Sequence, residues 1–117
     1  MIEVTVKKHK APQGKLNIQE TYSYFELRGH ASDSHKVGNH NLLCASVSAL
    51  AQTLLLYLHE IGSIDQHKIE DGYLCFSLKS NKNQIIATHS INLILGGIKQ
   101  IMSQYPSELT LEESYVL

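Results

Sequence analysis

Two residues of this chain are of the types that perform nucleophilic acyl transfer. His30 follows Gly29 directly, and Cys44 lies beyond a further thirteen residues. Asn41 is a good N-cap for the apolar stretch that begins at Leu42, which makes Cys44 the third helical residue, inside the first turn. There, unpaired backbone amides and the positive end of the helix dipole favour a thiolate, the nucleophilic form of cysteine. The same amides could bind a developing oxyanion. His30 sits at the opposite end of the intervening loop, just past a strand. Closure of that loop would bring its imidazole beside the sulfur, the Cys–His pair that thiol acyl transfer requires. Spacing alone leaves a plainer account open: a cysteine in an apolar helix is often a small core residue, and a loop histidine is often only solvated.

The wording of the segment is more specific than its spacing. Gly29-His30-Ala31, a polar loop containing Gly38, and Leu42-Leu43-Cys44-Ala45-Ser46-Val47-Ser48-Ala49 resemble the signature of the ribosomal-processing cysteine proteases, the Prp family of bacteria. That family's pattern is Gly-His-Ala, a loop, then Gly-x-Asp-Ile-Val-Cys-Ala, with a serine one turn past the cysteine. The resemblance runs through the whole chain in size and element order. It implies a cysteine endopeptidase that removes the N-terminal extension of large-subunit ribosomal protein L-twenty-seven, cutting after a hydrophobic or aromatic segment. It further implies His30 as general base and Cys44 as nucleophile, Asn41 and Ser48 in support, and Gly29 and Gly38 as hinges of a loop that closes over substrate. A small homodimer in the cytoplasm, with no cofactor and no metal, belongs to the same expectation. Two features depart from the pattern. Asn41 stands where the family has aspartate, which keeps a cap but removes a charge, and the loop is longer than usual. They motivate an alternative: a catalytically weak or inactive member that binds a peptide or ribosomal protein without cutting it.

Zinc is the competing chemistry. His30, His35 and His40 recur at steps of five ahead of Cys44, and imidazole and thiolate are zinc's preferred ligands. Steps of five put no two of these side chains on one helical face, and the chain has no Cys-x-x-Cys pair. His9, His59, His67 and His89 read as surface residues. Cys75 reads as a structural thiol, at a helix or dimer contact.

The elements that must position His30 and Cys44 follow from hydrophobic period. Ile2, Val4 and Val6 alternate with polar residues as in a half-buried strand. Residues 11–19 hold Pro12 and Gly14 and read as a connection, leading to a second strand over Thr21–Arg28 that should pair with the first as a hairpin. Residues 29–41 read as a mobile loop. A helix is expected from Leu42 to Ile61, with Leu43, Val47, Leu50, Leu54, Leu58 and Ile61 on one stripe and Gly62 just past its end. A third strand follows over Tyr73–Lys79. A second helix runs from Asn83 to Tyr105, stopped by Pro106, with Ala87, Ile91, Ile94, Ile98, Ile101 and Tyr105 inward. Gly96-Gly97 in its middle costs about 1 kcal/mol per residue relative to alanine, so close approach of another backbone is expected there. Leu109–Leu111 should close the sheet. The fold class is α+β: two layers, a small largely antiparallel sheet and two long helices.

Composition sets the outer limits. At 117 residues and 43% apolar content, the chain is expected to form one domain with a core that needs no disulfide or metal. Ten basic against eleven acidic side chains leave no surplus for tracking phosphates, so no direct nucleic-acid partner is expected. The longest unbroken apolar run, Leu54–Leu58, is far short of a membrane span, and the N-terminus lacks a signal-peptide stretch. Two distant cysteines are not a disulfide framework, so free thiols and a reducing cytoplasm are expected.

Overall fold

The computed structural model describes residues 1–10, 20–31, 36–37 and 40–116. Strands β1 (Ile2–Lys10) and β2 (Glu20–Gly29) form the expected antiparallel hairpin. A short pair follows, β3 (Lys36–Val37) with β4 (His40–Asn41), and then helix α1 (Leu42–Glu60). Next come β5 (Ile64–Glu70), β6 (Tyr73–Leu78), helix α2 (Gln84–Gln104) and β7 (Leu109–Tyr115). The main sheet has the order β5-β6-β2-β1-β7, antiparallel throughout except for the parallel pair β1–β7.

Register explains the core. Val4 faces Leu27 across β1–β2, Leu27 faces Leu74 across β2–β6, and Val6, Phe25 and Phe76 line up one step along. Side chains alternate across a strand, so all of these project from the same side of the sheet. Phe25 and Phe76 stack with ring centroids 5.1 Å apart. The helices cover that side. α1 buries Leu43, Val47, Ala51, Leu54, Leu55 and Leu58, and α2 buries Ala87, Thr88, Ile91, Leu95 and Ile98. Both helices are long and apolar enough by composition to cross a bilayer. Their buried residues pack instead into one cluster with Ile2, Val4, Val6, Phe25 and Leu109 of the sheet.

Four readings of the sequence need correction. The hydrophobic period assigns no strand to residues 64–70, but β5 is there: only Ile64 of its seven residues is buried, so an edge strand leaves no alternation to detect. The stretch 29–41 is not wholly loop, since it ends β2 and holds the β3–β4 pair; Gly38 and His35 lie outside the described residues. Tyr105 of the expected inward stripe is exposed, at the cap of α2. Finally, what approaches Gly97 is a side chain. A Cβ there would sit 3.3 Å from Leu50 Cδ1 of α1, while a Cβ at Gly96 would meet nothing within 4 Å.

Candidate active site

Cys44 is held by its helix start. Asn41 is extended (φ −95°, ψ 109°) and its Oδ1 accepts the Cys44 N–H at 3.0 Å, the N-cap bond expected of it. Its Nδ2 donates to the Ala31 carbonyl at 3.3 Å. The Ala31 N–H in turn donates to Cys44 Sγ at 3.0 Å. Ala31 therefore joins Asn41 and Cys44, ten and thirteen residues later, in a ring of hydrogen bonds with the thiol sulfur as one acceptor. The sulfur thus sits in the first turn of the 19-residue helix α1 with a backbone N–H aimed at it.

His30 follows the last residue of β2. Its carbonyl accepts from the Met1 amino nitrogen at 2.7 Å, and the preceding Gly29 N–H donates to the Gly72 carbonyl at 2.9 Å. Gly29 lies at φ +100°, where an added Cβ would overlap the Met1 carbonyl oxygen. Close approach of β1 is thus a sufficient reason for glycine at this position. The imidazole is exposed and sits over the turn between β5 and β6.

His30 and Cys44 line one cleft of about 270 Å³. Ser48 and Gln52 of α1 extend the Cys44 wall, and the Ser48 hydroxyl accepts from Gln52 Nε2 at 2.7 Å. Ile69 to Leu74 form the facing wall, joined by Ile2 and Leu27 at the floor. The Tyr73 side chain turns to the far face of the sheet, where its hydroxyl donates to Glu26 Oε1 at 3.1 Å and the neighbouring Cys75 thiol holds the phenol above its ordinary value. Tyr73 therefore stays neutral over the physiological range. Cys75 is on the far face of the sheet, away from the helices, and both cysteines are free thiols. Among the described residues no three His, Cys, Asp or Glu side chains converge as a metal would need; His35 of the zinc reading lies outside them.

The family model for the cysteine protease Prp matches residues 1–110. The chain belongs to the Prp cysteine protease family. It is by that membership a cysteine protease, and the Prp fold recurs in its structural neighbours. SMU.848 from Streptococcus mutans superposes with a TM-score of 0.70 at 22% identity, over 99% of this chain and 96% of that one. The essential ribosomal processing protease Prp from Staphylococcus aureus, in complex with a covalently linked product peptide, gives 0.69 at 18% identity, over 94% and 98% of the two chains. The same S. aureus protease with a substrate peptide gives 0.65 at 17% identity, again over 94% and 98%. No curated protein matches the sequence.

Of the residues expected from sequence, Gly29, His30, Cys44 and Ser48 line this one cleft, and Asn41 stands behind it at the N-cap of α1. Absent from the sequence-based expectation are the Ala31 N–H, because a backbone group carries no residue type, and β5 with its turn into the expected strand β6. Asp71-Gly72 was the available signal for that turn. Asp-Gly between two candidate strands is among the strongest short hairpin signatures.

Proposed function

We propose that this Prp protease removes the N-terminal extension of ribosomal protein L-twenty-seven by two-step thiol acyl transfer, with Cys44 as nucleophile and His30 as general base. The observation that carries the reading is the Ala31 N–H bond to Cys44 Sγ at 3.0 Å, which puts the residue beside His30 on the nucleophile itself. Cys44 Sγ attacks the scissile carbonyl and its proton passes to His30. His30 then protonates the leaving amine as the carbon–nitrogen bond breaks, and a water deprotonated by His30 cleaves the thioester. The covalently linked product peptide on the S. aureus protease is the kind of species this route forms. Asn41 and Ser48 support the site, the one through the cap and Ala31, the other through Gln52. The protein works in the bacterial cytoplasm as a homodimer, on a peptide and not on nucleic acid.

The test is cleavage of an extended L-twenty-seven precursor by the wild type beside Cys44→Ala and His30→Ala. Both substitutions should abolish cutting, and survival of either would sink the assignment. Iodoacetamide should label Cys44 well ahead of Cys75 at neutral pH. Equal, slow labelling together with retained precursor binding would favour the binding-module alternative.

A further inference from the structure

We propose that Gly72 is a positioning residue for the His30 imidazole: the missing side chain at the β5–β6 turn is the seat on which the ring rests. This rests on the Cys44–His30 reading above. Three observations carry it. Gly72 lies at φ +68°, and a Cβ there would overlap His30 Nε2 and stand 3.0 Å from Cε1 and 3.1 Å from Cδ2. All three are atoms on the outer side of the ring, so an added carbon cannot be accommodated without moving the imidazole. The Gly72 carbonyl also accepts the Gly29 N–H at 2.9 Å, which fixes the turn to the residue before His30. The His30 backbone is held on its other side, where its own carbonyl accepts from Met1 and the Ala31 N–H reaches Cys44 Sγ. With the main chain fixed on both sides, ring orientation is the freedom left, and the turn limits it. A general base displaced by about 1 Å can lose ~100-fold in rate.

Gly62 supplies the control. It has nearly the same backbone conformation, φ +75°, but an added Cβ there would meet nothing within 4 Å. Gly62→Ala and Gly72→Ala should therefore lower the melting temperature similarly, from left-handed backbone strain alone. Only Gly72→Ala should move the His30 ring resonances in NMR spectra. It should lower kcat on the extended precursor ~100-fold with KM little changed, and bring the pH profile of Cys44 alkylation onto that of His30→Ala. In a His30→Ala background, adding Gly72→Ala should leave that profile unmoved. Unshifted His30 ring resonances in Gly72→Ala would overturn the seat. So would a further slowing of Cys44 in the His30→Ala background, since the effect would then not pass through the ring. A wild-type profile that His30→Ala leaves unchanged would overturn the Cys–His reading, and the positioning role of Gly72 with it, even where the ring resonances do shift.

Discussion

Asn41 uses the two ends of one amide: Oδ1 accepts the Cys44 N–H and Nδ2 donates to the Ala31 carbonyl. A carboxylate at this position could cap the helix but has no proton to donate, so it would face the Ala31 oxygen as acceptor against acceptor. Asparagine is therefore not simply a neutral copy of the aspartate in the family pattern. Asn41→Ala should cost about 1 kcal/mol for the cap alone, measured by denaturant unfolding. Asn41→Asp should keep that cap while slowing alkylation of Cys44, because Ala31 loses the bond that steadies it against the sulfur. An Asn41→Asp protein labelled at the wild-type rate would count against the ring of bonds described above. The residue types His30, Cys44 and Asn41 were legible from sequence because their neighbours in the chain state their place on an element. What links them was not, since two of the three bonds run to the backbone of Ala31.

At the scale of elements, α1 and α2 touch where Leu50 meets Gly97. The pair Gly96-Gly97 offers two different outcomes for one substitution. Gly96→Ala enters open space and should stabilise by about 1 kcal/mol, the helix-interior cost of glycine removed. Gly97→Ala must push Leu50 Cδ1 from a 3.3 Å approach and should gain less. Thermal or chemical unfolding of the two variants decides it, and a Gly97→Ala gain equal to that of Gly96→Ala would show that Leu50 yields freely. Helices and central strands were readable because each has a buried stripe with its own period. β5 has one buried residue and β3 and β4 have two residues each, too little for any period to register. The facing wall of the cleft was lost with β5, and Gly72 with it.

Across the whole molecule, β2, β1 and β7 are tied by side chains as well as by their ladder. Lys8 bridges Glu20 at 3.2 Å and Glu113 at 3.3 Å, and the Tyr115 hydroxyl donates to Glu20. Burial pulls the Lys8 ammonium down, but hydrogen bonds and charge from the two glutamates outweigh it and hold the group above its ordinary value. Tyr115, ahead of Lys8, holds the Glu20 carboxyl below its usual range. A carboxyl lowered in the folded state stabilises above the ordinary glutamate range, and that contribution disappears as pH falls through the lowered value. Tyr115→Phe should therefore melt below the wild type at neutral pH, with the gap closing as the solution is acidified. A gap that stays constant into strong acid would assign the difference to packing instead.

The parallel partner of β1 also constrains how the chain can be made. Ile2 stands opposite Leu109, more than a hundred residues later, and both are fully enclosed in the core. During synthesis β1 and β2 can pair early, but one edge of β1 must wait for β7 before its ladder is complete. An unpaired strand edge is a template for other chains, and pairing across so long a separation is slow to form. The nascent protein thus passes through a stage with its β1 edge open, and that edge is covered only once β7 has been made.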